Sequence, residues 1–225
     1  MSENVHVHTP HEFSESERGT TSRSERVMEL VATLLLAFAT LGIAWSGYQG
    51  ARWSGQQAQE YSASNGARAH ANRAAIAGVQ DRTQDLLNFN RWLEVTTDGN
   101  QELADLYQRR FRPEFLPAFD AWLASDPLHN PNAESSPLRE AQYKVANLER
   151  STALDHQGDV HFENARKATE HTDNYVLTTV FFATVLFFAG ISMRFVWQSM
   201  RIAVLVLGSL SLVWAILLLA RLPIL

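Results

Sequence analysis

Cysteine is absent from this 225-residue chain. The protein therefore forms no disulfide bond and has no thiolate for nucleophilic catalysis or for binding zinc or an iron–sulfur cluster. Lysine is scarce as well, because 17 of the 19 basic residues are arginine. We interpret this preference as that of a GC-rich bacterial genome.

The sequence motifs of common catalytic sites are also missing. There is no P-loop, no Gly-x-Ser-x-Gly, no His-Glu-x-x-His and no Gly-x-Gly-x-x-Gly after a strand pattern. Residues 49–173 carry 13 basic and 18 acidic side chains, a net charge of −5, which excludes the basic stripe of a nucleic-acid-binding surface. We expect a protein that is not an enzyme, binds no nucleic acid and carries no cofactor or metal.

Three long apolar runs are the strongest positive feature. Residues 30–51, 174–193 and 202–220 contain no Asp, Glu, Lys or Arg over 22, 20 and 19 positions. A helix needs about 20 residues to cross a hydrocarbon core of about 30 Å. The sequence therefore predicts an all-α membrane protein with transmembrane helices at 27–48, 174–195 and 202–221, the last two joined by a short link at 196–201.

The region between the first two spans, residues 49–173, is predicted to be an extramembrane helical hairpin. No proline interrupts residues 50–95, which are mainly good helix formers. A return helix is expected to start near Ser136, because Leu138, Ala141, Val145 and Leu148 follow at steps of three and four. Two long antiparallel helices, each continuous with a membrane span and packed as a coiled coil, are the predicted arrangement.

A proline-rich cap is expected at the hairpin tip, at about residues 96–137. Five of the seven prolines lie between 113 and 137, and residues 102–111 and 114–123 read as short amphipathic helices. The aromatic side chains of this cap have two interpretations, a surface for a protein partner or the small core of the cap itself. They are Phe111, Phe115, Phe119 and Trp122.

The N-terminal tail, residues 1–26, is polar and lacks the apolar segment of a cleaved signal peptide, so we expect it to be disordered. Its three histidines, His6, His8 and His11, are interpreted as incidental rather than as a metal site. Near the membrane, the side of the N-terminus and of the link between the second and third spans carries five basic residues, and the hairpin side carries four. The link is the shortest segment and counts most in the positive-inside rule, which places it and the N-terminus in the cytoplasm. The hairpin is then extracytoplasmic, with a margin of one charge.

Acidic residues near the second span form a further candidate site. At helical spacing they either line a vestibule that gathers cations above a pathway or form an ordinary solvated face. Glu29, at the mouth of the first span, either lines the same path or faces lipid headgroups. The candidate pathway residues are Glu29, Asp159, Glu163, Glu170 and Asp173. The nearby His156, His161 and His171 do not repeat a metal-binding spacing.

Small residues recur along one face of the first long helix, at Gly47, Gly50, Ala51, Gly55 and Ala58. Small side chains let two helix backbones approach closely, which is how helices associate in lipid. This packing seam contacts either the return helix of the same chain or another subunit.

The segment Trp45-Ser46-Gly47-Tyr48-Gln49, followed by Ala51-Arg52-Trp53-Ser54-Gly55, resembles a family of uncharacterised bacterial membrane proteins, and so does the stretch FLPAFDAWLASDPLHNP at 115–131. The resemblance implies a bacterial inner-membrane protein with one large helical loop. It transfers no functional residue.

Two functions remain open from the sequence. The first is a homo-oligomeric membrane protein, channel-like or transport-related, whose partners are membrane lipid and copies of itself. The second is a membrane-anchored scaffold or sensor that binds a protein partner through its cap.

Overall fold

A computed structural model describes residues 23–225 and places five α-helices and one 3₁₀ turn in that part of the chain. It contains no strand there, so the predicted all-α class is confirmed. The elements are α1 (Arg23–Thr97), α2 (Gln101–Gln108), α3 (Leu116–Ala124), the 3₁₀ turn (Pro137–Arg139), α4 (Ala146–Ser192) and α5 (Gln198–Leu219).

Three of these helices, α1, α4 and α5, are long and apolar enough to cross a membrane. Many of their large apolar side chains point outward, including Phe38 (55% exposed), Phe187 (63%) and Leu210 (63%). Exposed phenylalanine and leucine at this density suit a lipid environment better than water. By length and composition, the three helices are compatible with a membrane protein.

The chain divides into two compact units, and the division falls inside α1 and α4. We call the described residues 23–54 and 170–225 the apolar unit and residues 55–169 the polar unit. The apolar unit packs parts of α1 and α4 with α5 around small side chains such as Ala32, Ala39 and Ala189. Larger residues, among them Phe182 and Leu205, fill the remaining space.

In the polar unit, α1 and α4 run antiparallel. The Ser64 hydroxyl donates to the Gly158 carbonyl at 2.8 Å, and Asn147 donates to the Asp81 carboxylate at 2.8 Å. From one contact to the next, the residue number decreases on α4 as it increases on α1, as expected for antiparallel helices. The side of α1 that meets α4 is lined by small residues that repeat at helical spacing, including Ala67, Ala71 and Ala74.

The start of the return helix differs from the prediction. Helix α4 begins at Ala146, about ten residues after Ser136. Ser136 instead caps the 3₁₀ turn, accepting a hydrogen bond from the Leu138 amide at 3.1 Å. Before α4 begins, the Tyr143 hydroxyl donates a hydrogen bond to Asp85 Oδ2 at 3.0 Å. A helix that began at Ser136 would lose the irregular segment that makes this bond.

Three smaller boundaries also shift. The short helices occupy 101–108 and 116–124, because Asn100 caps α2 and Pro117 lies in the first turn of α3. Helix α5 begins at Gln198, inside the predicted link and about four residues before the predicted start of the third span. Residues 23–26, expected in a disordered tail, are helical, whereas the rest of that tail lies outside the described residues.

Candidate functional site

The four aromatic side chains proposed as a partner surface lie in the interior of the polar unit. Phe115 and Phe119 are fully buried, and Phe111 and Trp122 are 6% and 5% exposed. They pack with Phe89, Trp92 and Ala104. We call this cluster of seven residues the cap core.

The cap core is held by ring contacts between α1 and the short helices. Trp92 meets Phe119 edge to face with ring centroids 4.8 Å apart, and Phe89 meets Trp122 in the same way at 5.0 Å. Such pairs are favourable beyond the area they bury. Of the two interpretations of these rings, the structure therefore places them as a core, because buried faces are not available to a partner.

A buried ionic cluster lies beside the cap core. The Asp85 carboxylate is only 1% exposed, and Arg112 grips it with two hydrogen bonds, from Nε to Oδ1 at 2.9 Å and from Nη2 to Oδ2 at 2.7 Å. The Tyr143 hydroxyl donates to Oδ2 at 3.0 Å. We call these three residues the Asp85 cluster.

The cluster is extended by Asp81, whose Oδ2 lies 3.5 Å from Arg112 Nη1 and accepts from Asn147 at 2.8 Å. The hydrogen bond to Asp85 raises the pKa of Arg112 above its ordinary value. Burial, and then the Asp85 charge, raises the pKa of Tyr143. At neutral pH the arginine is thus charged and the tyrosine neutral, and the cluster holds Arg112, Tyr143 and Asn147 against α1.

Sequence reasoning missed the Asp85 cluster, although one signal was present. Asp85 falls seven residues after Gly78 and four before Phe89, on the side of α1 that is buried. A carboxylate on a buried helix face requires a cationic partner. The partner itself is 27 residues away, in an irregular stretch whose position no periodicity predicts.

The candidate pathway residues are all exposed. In the polar unit Asp159 pairs with Arg68 at 3.0 Å and Glu163 with Arg166 at 3.3 Å. In the apolar unit Glu29, Glu170 and Asp173 are exposed. In each unit these carboxylates therefore lie at the surface.

The three histidines near these acids have separate surroundings. His161 Nδ1 lies 2.7 Å from a Glu60 oxygen, the His171 ring packs 4.4 Å from Trp53, and His156 is exposed. Within residues 23–225 no group of three His, Asp or Glu side chains is placed to hold a metal ion. His6, His8 and His11 lie outside that range.

The predicted packing seam separates into two parts. Gly50 is buried, with Tyr175 Cβ 3.5 Å from the position that a Cβ would take. The other four residues are exposed, and at Gly47 and Gly55 an added Cβ would have nothing within 4 Å. One member of the seam therefore serves packing within the chain, while Gly47, Ala51, Gly55 and Ala58 are open.

Polar side chains of the apolar unit hold the end of the described chain. The Gln49 side chain bonds both backbone atoms of Leu225, accepting from N at 3.1 Å and donating to O at 3.5 Å. Trp53 Nε1 and the Tyr175 hydroxyl each donate to the Pro223 carbonyl at 3.0 Å. Gln49 and Tyr175 are almost fully buried. Three long side chains from α1 and α4 thus converge on one short segment, a convergence that sequence periodicity does not indicate.

A cavity of about 230 Å³ opens at the end of α1 in the polar unit. Its walls combine apolar side chains with the Asp126 carboxylate, and Asp126 has a φ of +52°, which is uncommon for a residue other than glycine. Leu128, at the rim, is 75% exposed. The lining residues are Trp92, Leu93, Thr96, Thr97, Trp122, Leu123, Asp126, Pro127 and Leu128.

Comparison with known proteins gives no family to which the chain can be assigned: no protein-family model, curated protein or solved structure matches it.

Proposed function

We propose that this chain is a homo-oligomeric integral membrane protein, channel-like or transport-related, and that it resides in the bacterial inner membrane. In this proposal the N-terminus is cytoplasmic, and α1 and α4 form an extracytoplasmic helical hairpin between the first two spans. The proposal depends on one observation above all. Gly47 and Ala51, on the apolar part of α1, are exposed, and a Cβ added at Gly47 would have nothing within 4 Å.

Open small residues on a membrane helix favour association with another helix. In lipid the gain comes from close van der Waals contact between backbones, which large side chains prevent. Gly50 already serves this purpose within the chain, against Tyr175. Gly47 and Ala51 are left for a helix of another copy.

An aqueous pathway across the membrane would also require an oligomer. Three membrane helices are too few to enclose an aqueous path, whereas a ring of several copies encloses one on its axis. The exposed carboxylates of Glu170 and Asp173 would then recur around that axis and raise the local concentration of cations. The resemblance of residues 45–55 to bacterial membrane proteins supports the proposed location.

The native mass of the protein in lipid nanodiscs tests self-association. Gly47→Leu should reduce the mass to that of a monomer, because a leucine side chain would separate the two backbones. Gly190→Leu is the matched control, since Gly190 is another exposed glycine of the apolar unit with open space around it. A monomeric unmodified protein, or equal effects of both variants, would contradict the proposal.

Ion flux into liposomes then tests transport. Oligomeric protein should carry cations faster than anions, and the double variant Glu170→Gln, Asp173→Asn should lower this preference. Oligomers that conduct no common ion would remove the channel-like function and leave the second candidate.

The second candidate is a scaffold or sensor anchored in the membrane. It is favoured by the cavity at the end of α1 and by the exposure of Leu128 and Leu123 (49%) at its edge. Exposed apolar side chains beside a cavity are typical of recognition sites. Leu128→Asp should then abolish co-purification of a partner, whereas Val160→Asp, a change at another exposed apolar residue of the polar unit (48%), should not.

A further inference from the structure

The polar part of α1 has two opposite sides, and both follow a regular repeat. The inner side, with Ser64, Gly78 and Asp85, is buried. The outer side has positions that alternate by three and four residues without interruption from 55 to 93. We call these twelve positions the outer stripe: Gly55, Ala58, Ser62, Asn65, Ala69, Asn72, Ile76, Val79, Thr83, Leu86, Asn90 and Leu93.

The outer stripe is exposed over most of its length. Eleven of its twelve residues are exposed and Leu93 is half-buried. Ile76 is 60% exposed and Val79 58%, and the adjacent Leu87 is 63% exposed. In an aqueous compartment, apolar side chains at this spacing and exposure normally lie against another helix.

The spacing identifies the kind of contact. Alternating steps of three and four give a mean period of 3.5 residues, the period at which two helices keep the same faces together as they supercoil. Large apolar side chains occupy four positions of this repeat, at Ile76, Val79, Leu86 and Leu93. The outer stripe therefore fits a coiled-coil contact with a further helix.

We propose that this further helix is α1 of a second copy of the chain, parallel and in register. Copies inserted in one membrane with one orientation have parallel α1 helices, so each residue on a symmetric seam meets its own counterpart. A charged residue there would face a like charge. None of the twelve positions of the outer stripe is charged, although Arg52, Arg73 and Arg82 lie elsewhere on the same helix.

The asparagines suit the same pairing. Asn65, Asn72 and Asn90 carry both donors and acceptors, so each can bond its own counterpart across a parallel seam. A polar residue at such a position favours one register over its alternatives. Leucine or valine would have given a tighter but less specific contact.

The positions that flank the stripe do not oppose this pairing. In a parallel coiled coil each flanking residue approaches a partner residue five positions further along. The sole like-charged pair produced in this way is Arg68 with Arg73, and Arg68 already contacts Asp159 at 3.0 Å and lies over the Phe162 ring at 5.3 Å. The carboxylate largely offsets this charge before the second copy arrives.

Because the chain has no cysteine, single cysteines provide a direct test. Ile76→Cys, Val79→Cys and Thr83→Cys are introduced separately into the full chain in lipid vesicles and oxidised with copper–phenanthroline. Each should form a disulfide-linked dimer at least several-fold more efficiently than Ala63→Cys or Gln84→Cys. Both controls replace exposed residues of α1 outside the outer stripe.

The inference rests on the self-association proposed above, and the native mass of the same samples separates the two. A monomer overturns both. Oligomers in which the three stripe cysteines cross-link no better than the controls overturn only the contact assigned here. A cross-link to a different protein replaces the second copy by another partner and overturns it as well. A disulfide-linked dimer at the stripe positions that Val79→Asp reduces and Gln84→Asp does not reduce supports the contact assigned here.

Discussion

The two units of this protein differ in the large apolar side chains that they leave exposed. In the polar unit the largest rings are innermost, with Phe115 and Phe119 at zero exposure. In the apolar unit many of the innermost residues are small, such as Ala32 and Ala39, while Phe187 is 63% exposed. Water drives large apolar side chains inward, whereas lipid is as apolar as they are and leaves close backbone packing to decide. The exposed surface of the apolar unit therefore suits lipid, and that of the polar unit suits water.

The largest expected effect comes from removing a ring of the cap core. Phe119→Ala should destabilise the polar unit by about 4 kcal/mol, because it removes a fully buried ring and leaves a cavity. Hydrogen–deuterium exchange of α2 and α3 in nanodiscs would report the loss of protection. Phe187→Ala, the same change at an exposed ring, should leave exchange in the apolar unit nearly unaltered, and an equal effect of both would refute the comparison.

The next effect comes from the buried ionic groups of the polar unit. Asp85→Asn should cost about 3 kcal/mol, since Arg112 would keep its charge in a largely buried site without a carboxylate. Asp159→Asn, which removes an exposed ion pair with Arg68, should cost less than about 1 kcal/mol. Urea unfolding followed by the fluorescence of Trp92 and Trp122 measures both changes. Similar losses would mean that burial does not distinguish the two pairs.

In the apolar unit, adding a side chain at a close helix contact should be more harmful than truncating an exposed ring. A Cβ at Gly42 would overlap the ring of Phe182, which is 1% exposed and cannot turn away, so Gly42→Ala should cost about 2 kcal/mol. The same change at Gly190, where an added Cβ meets nothing within 4 Å, should be neutral or slightly stabilising. Detergent-induced unfolding compares the two variants. If both are equally stable, close packing at Gly42 is not limiting.

The smallest effect is a dependence of the polar unit's stability on pH. Burial raises the pKa of Tyr143 above its ordinary value of about 10, so above that pH the unfolded chain loses a proton that the folded protein retains. Stability should therefore fall as pH rises beyond 10. Between pH 9 and pH 11 the difference in unfolding free energy between the unmodified protein and Tyr143→Phe should shrink by about 1 kcal/mol. A constant difference would mean that Tyr143 titrates alike in both states.

Much of this architecture could be predicted from the chain. Charge-free runs predicted three helices long enough for a membrane, and the absence of proline from 50 to 95 predicted a helix that in the structure ends at Thr97. Both predictions use local properties, since hydropathy and helix propensity act over neighbouring residues.

Features that depend on distant partners were harder. Leu138 and Ala141 continue the helical spacing of the return helix, yet Tyr143 is drawn into the Asp85 cluster and α4 starts only at Ala146. The spacing of Phe115, Phe119 and Trp122 predicted their common side but not whether that side is core or surface. That distinction depends on Phe89 and Trp92, which come from another helix.

The Asp85 cluster also carries information about the order of folding. Its members are separated by 27 and 58 residues, and the entropy lost in closing a loop grows with its length. We therefore expect Arg112, which is synthesised first, to be the earlier partner to reach Asp85. We expect Tyr143 to complete the cluster afterwards, just before the start of α4. Slower refolding of Asp85→Asn, measured by stopped flow, would indicate that this carboxylate already acts in the rate-limiting step.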